Sequence, residues 1–199
     1  MPTGQAESLM PQVEAALASA GLGWGQVAAL GVGVGPGNFT GVRISVAAAR
    51  GLRLALGIPA VGVSLFEALA FENAAMAQDD IPRLLTVQAM RGQSYGQLWY
   101  NGRALGAPLL LSETPADLAE SSLPRMPQAV LGHNGAALGA ALGIAGADAV
   151  PRAVAQSIAQ CVAAQLSINA IAPDHRPAPL YVRPADAAPP RDAPVAILP

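Results

Sequence analysis

The amino-acid sequence predicts an α/β fold built on a mainly parallel sheet. Three observations between positions 30 and 64 support this prediction. An apolar strand-like run from Leu30 leads into a Gly35-Pro36-Gly37 turn, a segment with helical spacing follows, and a second short apolar run ends at Ser64. A strand, a helix and a strand in this order form a right-handed crossover between parallel strands. Most of the specific information in the sequence lies in this stretch.

The first predicted element is a helix over 1–22, and a strand over 27–34 follows it. Gly21 and Gly23 are stop signals for the helix, whose apolar residues share one face. The residues on this face are Leu9, Val13, Ala16, Leu17 and Ala20. Because the run over 27–34 is continuously apolar, it predicts a strand covered on both faces.

The next helix is predicted to begin after Asn38, which is a suitable N-cap, and to end at Leu56 before Gly57 and Pro59. It carries two apolar stripes, so two different surfaces must cover it. The first stripe contains Val42, Val46, Ala49 and Leu56, and the second contains Ile44, Ala48, Leu52 and Ala55.

A ridge of small residues also follows this helix. Ala47, Gly51 and Ala55 recur every four residues, so another helix could approach the ridge closely. Arg43 and Arg50, seven residues apart, emerge together on one side. We call Ala47, Gly51 and Ala55 the small-residue ridge.

A short strand over 60–63 and a capping box follow. In the capping box, the Ser64 hydroxyl accepts a hydrogen bond from the Glu67 N–H, and the Glu67 carboxylate accepts one from the Ser64 N–H. The helix that begins here is predicted to reach about position 77. The composition changes near 79–82, so the predicted domains are 1–78, 79–172 and a proline-rich strap and tail over 173–199.

The second domain is predicted to contain a hairpin of strands 83–88 and 95–101 around a turn at 90–93. Further strands are predicted over 109–112 and 129–131, with a brief helix from Thr114 and a long helix over 151–171. The inward face of the long helix contains Val154, Ile158, Cys161, Val162 and Leu166. The tail is expected to form an extended strap around 179–183, followed by a disordered end.

Composition excludes several classes of function. The net charge is −2, charged residues make up 12% of the 199, and all 11 basic side chains are arginine, so no broad nucleic-acid surface is indicated. The absence of lysine excludes a P-loop lysine, a Schiff base and a Ser-Lys dyad. Neither a membrane span nor a signal peptide is predicted, and the single Cys161 excludes an internal disulfide, so we expect a cytoplasmic protein.

Residues that could carry chemistry are few. The glycine-rich turn could bind phosphate at the helix start, but it fits neither G-x-G-x-x-G nor Walker A, and tight packing is the simpler interpretation. His133 and His175 lie far apart without metal-ligand spacing, and His133 is interpreted as a turn residue. Cys161 lies on an inward helix face, which predicts a buried thiol. No catalytic residue, metal or cofactor is indicated.

The run GPGNFTGVRIS at 35–45, together with 49–52 and 58–64, closely resembles the bacterial TsaB (YeaZ) family. Further segments match this family: 5–11 resembles its first helix, 91–95 its hairpin and 179–183 its C-terminal signature. That family is the non-catalytic partner in tRNA threonylcarbamoyladenosine synthesis. The resemblance covers nearly the whole chain.

The catalytic paralogue of this family, TsaD, shares the central motif. In TsaD the helix after the second strand looks like H-x-E-G-H, and its two histidines hold a metal. The matching positions here are Leu65, Glu67 and Leu69, and leucine cannot ligate a metal. The resemblance therefore implies the non-catalytic partner, with no cofactor of its own.

The resemblance also implies an actin-like ATPase fold (ASKHA, ribonuclease H-like) in two lobes. The family begins with three strands that have no match before Met1, so the N-terminal lobe is expected to be incomplete. The strand over 27–34 is then expected to have an unpaired edge. A miscalled start or a truncation would explain this, and translation upstream in frame tests the idea.

Family members dimerise through their first two helices, with themselves or with TsaD. The interface residues that the resemblance implies are Leu9, Val13, Thr40, Arg43, Ala47, Ala48, Arg50, Gly51 and Leu54. Gly35, Pro36, Gly37 and Gly41 are expected to form a structural turn, and Ser64 and Glu67 to cap a helix. The expected partners are TsaD and the ATPase TsaE, with a homodimer as an alternative, tRNA contacted only indirectly, and no membrane.

Two departures from the family pattern leave points open. The hairpin has Gln88 and Met90 followed by Arg91 where the family looks like D-A-R, so the role of those charges is open. Gln5 stands where the family commonly has histidine. Two other functions remain as alternatives: an actin-like phosphotransferase or M22-type peptidase, and a regulatory homodimer.

Overall fold

The structure, a computed structural model, describes residues 5–74, 80–111, 123–168 and 176–182. Within these ranges it contains helices and strands that alternate along much of the chain. The helices are α1 (Gln5–Ser19), α2 (Phe39–Leu56), α3 (Leu65–Glu72), α4 (Gly135–Leu142) and α5 (Val154–Ser167). The strands are β1 (Leu30–Gly35), β2 (Ala60–Ser64), β3 (Arg83–Gln88), β4 (Ser94–Tyr100), β5 (Arg103–Leu111), β6 (Ala129–Gly132) and β7 (Ala145–Asp148).

The strands form two sheets. The first contains β1 and β2, which run parallel with Leu30 opposite Ala60, as the crossover pattern predicts. The second has the order β5-β4-β3-β6-β7, in which β3, β6 and β7 are parallel and the β3–β4–β5 meander is antiparallel. The predicted α/β class and the hairpin of β3 and β4 are confirmed.

In the first sheet, a glycine of one strand lies opposite a valine of the other strand. Gly31 lies opposite Val61, and Val32 lies opposite Gly62. A Cβ atom at Gly31 would lie 2.7 Å from Cγ2 of Ile158, so this glycine allows α5 to pack directly on the sheet. On the other face, the buried β1 valines pack against α2. Both faces are therefore covered, as the continuously apolar run predicts.

Helix α3 follows β2 of the first sheet and packs on the second sheet. Its buried Phe66 and Leu69 pack against β3, β4 and β6. The strand residues of this cluster are Leu85, Val87, Trp99 and Leu131. The opposite face of the second sheet packs partly against α4, whose Leu138 and Leu142 contact the cluster of Leu84, Leu111 and Val130.

The predicted ends of α2 are confirmed. The Asn38 side chain accepts a hydrogen bond from the Gly41 N–H at 3.0 Å, and Gly57 adopts a left-handed conformation at the C-cap. The α3 capping box is present, because Ser64 N donates to Glu67 Oε2 at 2.6 Å and Glu67 N donates to Ser64 Oγ at 3.1 Å. Helix α3 ends at Glu72 with Asn73 as its C-cap, so it is interrupted before the predicted end near 77, and residues 75–77 lie outside the described residues.

The second sheet contains more regular structure than predicted. Strand β5 begins at Arg103 rather than near 109, because Asn101 and Gly102 both have positive φ and form a tight turn after β4. Helix α4 and strand β7 were not predicted. They pack at a distance that only glycine permits, since a Cβ atom at Gly139 would lie 2.6 Å from Cα of Gly146.

Residues 176–182, which we call the strap, form neither helix nor strand and contact the first sheet. Leu180 N donates to the Val34 carbonyl at 2.8 Å, and Pro177 is fully buried beside Gly62. Within the described ranges, β2 is the only strand that pairs with β1, and the strap adds its backbone hydrogen bond to β1 at Val34. The predicted helix from Thr114 and the tail beyond 182 lie outside the described residues.

Helix α5 lies in the sequence range predicted for the second domain but packs against the first sheet. Its buried Ile158, Cys161 and Val162 contact Val61 and Val63. These helix residues belong to the inward face predicted from the sequence. Among the described helices, none is long and apolar enough to cross a membrane.

Candidate functional site

Helices α1 and α2 present the surface predicted as a partner interface. Residues 6–19 of α1 contain no buried side chain, although Leu9 and Val13 are partly covered. On α2, Thr40, Ala47 and Gly51 are exposed and Ala48 is partly covered. Leu54 is 82% exposed, which is unusual for a large apolar side chain in a helix. The structure therefore leaves most of the predicted interface accessible.

The small-residue ridge lies open on this surface. Ala47, Gly51 and Ala55 are all exposed, and a Cβ atom at Gly51 would meet nothing within 4 Å. The opposite side of α2 buries Val46 and Ala49 in the core. One face of α2 thus supports its own fold, while the face that carries the small-residue ridge is exposed.

The two arginines of the predicted interface contact the strap. Arg43 Nε donates to the Tyr181 hydroxyl at 2.8 Å, and its guanidinium lies 3.6 Å from the centre of the Phe39 ring. Arg50 Nε donates to the Pro177 carbonyl at 2.8 Å. These contacts give both side chains a role within the chain that the sequence analysis missed. Their seven-residue spacing could have indicated a shared contact, because it places both arginines on one side of α2.

The predicted structural turn connects β1 to α2. Gly35 has a φ of +103°, which only glycine adopts readily, and its Cβ position would lie 3.4 Å from the Leu180 carbonyl oxygen. Pro36 is buried, Gly37 is exposed, and Gly41 donates to the Asn38 cap. This geometry favours the interpretation that the glycines allow close packing against the strap.

A cavity of about 780 Å³ lies between the turn, the second sheet and the strap. Its walls come from the start of α2, from the ends of β3 and β4, from the loop after β6 and from residues 149–154. Two of the hairpin residues whose role was left open, Gln88 and Met90, line the cavity, while Arg91 adopts a left-handed conformation in the turn. Among the described residues that line the cavity, His133 supplies the imidazole and there is no Asp, Glu, Lys or Arg side chain.

His133 is held in a fixed orientation at this cavity. Its Nδ1 is hydrogen-bonded to Ser94 Oγ at 2.8 Å, and its carbonyl accepts from Thr86 Oγ1 at 2.9 Å. Ser94 is only 4% exposed. Because this serine is buried and so has little access to a substrate, the pair suits orientation of the ring better than nucleophilic attack. The sequence analysis interpreted His133 as a turn residue and missed Ser94, because 39 residues separate them.

The positions that the resemblance matches to metal ligands in the paralogue differ in burial. Leu69 is fully buried, Leu65 packs against the same cluster, and Glu67 is engaged in the capping box. Over the part of the chain that the structure describes, no group of three or more His, Cys, Asp or Glu residues could hold a metal ion.

Glu72 joins the end of α3 to the start of α5. Its carboxylate accepts hydrogen bonds from the Ser157 hydroxyl and from Arg152 N, the latter at 3.0 Å. Burial by itself raises the pKa of Glu72. The hydrogen bonds and the charge of Arg152 together outweigh it, so the pKa is lowered. Glu72 is therefore ionised at neutral pH, which suits a structural contact rather than a proton donor.

Cys161 is a buried thiol on α5, as predicted. Burial, followed by the nearby carboxylate of Glu67, raises its pKa to about 11. At pH 8 the thiol is therefore protonated, and the thiolate is the reactive species.

We expect native Cys161 to resist alkylation by iodoacetamide at pH 8, and the unfolded chain to react fully, as measured by mass spectrometry. The reaction of the native protein should accelerate as the pH approaches 11, because the thiolate then accumulates. A Cys161→Ser variant supplies the unlabelled control. Rapid stoichiometric labelling of the folded protein at pH 8 would contradict this expectation.

Comparison with solved structures defines the class of fold. The chain superposes on "YeaZ from Pseudomonas aeruginosa" with a TM-score of 0.63 and 22% identity, covering 91% of this chain and 85% of that one. A second match, an uncharacterized protein with similarity to peptidase YEAZ from Pseudomonas aeruginosa, has a TM-score of 0.63 and 23% identity, covering 89% and 83%. These likenesses show the actin-like α/β fold.

Sequence comparison gives the family. The model of "TsaD: tRNA N6-adenosine threonylcarbamoyltransferase" matches residues 4–171. The tRNA threonylcarbamoyladenosine biosynthesis protein TsaB of Haemophilus influenzae is 42% identical over 62 residues, or 31% of this chain and 26% of that protein. TsaB of Escherichia coli is 34% identical over 95 residues, or 47% and 40%. The matches thus span about a quarter to two fifths of these curated relatives.

The chain belongs to the TsaB (YeaZ) branch of the family that the TsaD model describes. The sequence resemblance and the fold predicted from it are confirmed.

Proposed function

We propose that the chain is a non-catalytic scaffold or activator subunit in the synthesis of N6-threonylcarbamoyladenosine in tRNA. Its direct partner is the catalytic paralogue TsaD, and the ATPase TsaE joins the same complex. The observation that carries this proposal is the open face of α2, where Gly51 has free space above it beside the exposed Leu54. This face, with α1 beside it, suits the packing of a second helix pair.

The chemistry of the chain supports a subunit that relies on its partner for catalysis. Leu65 and Leu69 occupy the positions that hold metal ligands in TsaD, and Leu69 is fully buried in the core. A net charge of −2 without lysine gives little attraction for tRNA, so contact with tRNA is indirect. We assign the complex to the cytoplasm, where tRNA is modified.

Reconstitution tests the proposal. The purified chain is mixed with TsaD, TsaE, substrate tRNA and the enzyme that makes the threonylcarbamoyl donor, and modified adenosine is measured by mass spectrometry of tRNA digests. We expect modification to require both this chain and TsaD. Each component is omitted in turn as the control.

Three results would contradict the proposal. Modified adenosine formed by this chain without TsaD would make it an enzyme. If the yield of modified adenosine were unchanged when this chain is omitted, the chain would have no role in the reaction. A stable homodimer that does not exchange with TsaD would favour the regulatory homodimer.

A further inference from the structure

One arginine of α2 is held in place by two aromatic side chains. The guanidinium of Arg43 lies 3.6 Å from the centre of the Phe39 ring and 5.5 Å from that of the Tyr181 ring. Its Nε donates to the Tyr181 hydroxyl at 2.8 Å. A guanidinium is attracted to the face of an aromatic ring, and the stacking restricts its rotation. Arg43 is therefore oriented before any partner binds.

The strap that supplies Tyr181 is itself anchored. Leu180 N donates to the Val34 carbonyl of β1 at 2.8 Å, and Tyr181 is the next residue along the chain. Pro177 is fully buried, and its carbonyl accepts a hydrogen bond from Arg50 Nε at 2.8 Å. The Tyr181 hydroxyl thus reaches Arg43 from a backbone that is held on the first sheet.

Both arginines remain exposed despite these contacts. In each hydrogen bond to the strap the donor is Nε, and a guanidinium has further donors on its two terminal nitrogens. Those donors can bind the two oxygens of one carboxylate in parallel. Segments 39–56 and 176–182 contain no aspartate or glutamate, so neither α2 nor the strap supplies that carboxylate.

The arginines flank the face of α2 that is proposed to bind TsaD. Ala47, Arg50 and Leu54 follow Arg43 at i+4, i+7 and i+11, which places all four on one side of the helix. Ala47 is exposed, and Leu54 is 82% exposed. Apolar side chains bordered by polar groups are typical of a protein–protein interface. A helix that packs on the small-residue ridge would pass beside both guanidinium groups.

We propose that Arg43 binds a carboxylate of TsaD at the edge of the α2 interface, and that Tyr181 of the strap is the positioning residue that orients Arg43 for this contact. The proposal rests on the proposed function and names the chemistry that this face recognises, an aspartate or glutamate side chain of the partner. Because the guanidinium is ordered in advance, the contact costs less entropy on binding.

Isothermal titration calorimetry of the full chain with TsaD tests the role of Arg43. Arg43→Gln should raise Kd at least about tenfold at about 50 mM NaCl, because a charge-assisted pair is lost. The difference from the unchanged chain should narrow at about 500 mM NaCl, since salt screens the pair. Arg103→Gln removes the same charge from an exposed position of β5, and this matched control should bind as the unchanged chain does.

Variants of Tyr181 test the positioning role. Tyr181→Ala should raise Kd about fivefold, because Arg43 must then be ordered on binding. Tyr181→Phe keeps the ring and removes only an exposed hydroxyl, so its effect should be smaller. In the Arg43→Gln background, Tyr181→Ala should have little further effect, because Tyr181 acts through Arg43.

Circular dichroism checks that each variant remains folded, and the Tyr181 variants decide the question if Arg43→Gln does not fold. If Arg43→Gln binds TsaD as tightly as the unchanged chain at low salt, the inference is wrong while the proposed function stands. Additive losses from Arg43→Gln and Tyr181→Ala, or no loss from Tyr181→Ala, would overturn the positioning role. An unchanged chain that does not bind TsaD would contradict the proposed function as well.

Discussion

Replacing Gly51 with tryptophan is expected to abolish binding to TsaD while the chain remains folded. A Cβ atom at position 51 would meet nothing within 4 Å, and Gly51 is exposed, so we expect the substitution to place little strain on the fold. In the proposed complex the same position faces the partner helix, and an indole would hold the two backbones apart. We expect Kd to rise about thirtyfold or more, equivalent to roughly 2 kcal/mol, measured by isothermal titration calorimetry.

Two control variants make this test specific. Gly51→Ala keeps the ridge small and should retain most of the affinity. Ala163→Trp adds the same indole at an exposed position of α5, away from the ridge, and should bind as the unchanged chain does. If Gly51→Trp binds TsaD normally, the partner uses another surface, and the proposed role of α2 is wrong.

Replacing Gly132 with alanine is expected to cost the fold about 3 kcal/mol or more in the free energy of unfolding. Gly132 has a φ of +136°, which is strained for a residue with a side chain. A Cβ atom there would also overlap the carbonyl oxygen of Thr86 on the neighbouring strand. Because both atoms belong to paired strands β3 and β6, neither can move without breaking the ladder.

Urea unfolding followed by far-ultraviolet circular dichroism measures this loss. Gly51→Ala is again the matched control, since it replaces an exposed helical glycine with open space around it. That variant should be more stable by about 0.5–1 kcal/mol, because alanine favours the helix. An equal effect of the two substitutions would contradict the argument that Gly132 is required by backbone geometry.

Much of the first sheet and its helices could be predicted because their signals are local. The Asn38 cap, the left-handed Gly57 and the Ser64 capping box each depend on residues within four positions of one another. The two stripes of α2 follow from helical periodicity. Periodicity does not show which stripe is buried. In the structure, Val46 and Ala49 of the first stripe face the core, while the small-residue ridge remains open.

The second sheet was predicted less completely, for identifiable reasons. The Asn101-Gly102 turn was a recognisable hairpin signal that would have moved the start of β5 to Arg103. By contrast, Ala145–Asp148 carries almost no strand propensity. It forms β7 because Gly135, Gly139 and Gly146 allow α4 and the strand to approach closely. That approach is a tertiary effect.

The α/β class, the crossover around α2, the buried thiol of Cys161 and the family resemblance could all be predicted from the amino-acid sequence, because they depend on local spacing and composition. How distant segments act together depends on the three-dimensional fold. It brought the strap to Arg43 and Arg50, and it set Ser94 against His133 beside the cavity. Such contacts join residues from 39 to 138 positions apart, and no local pattern encodes which of them meet.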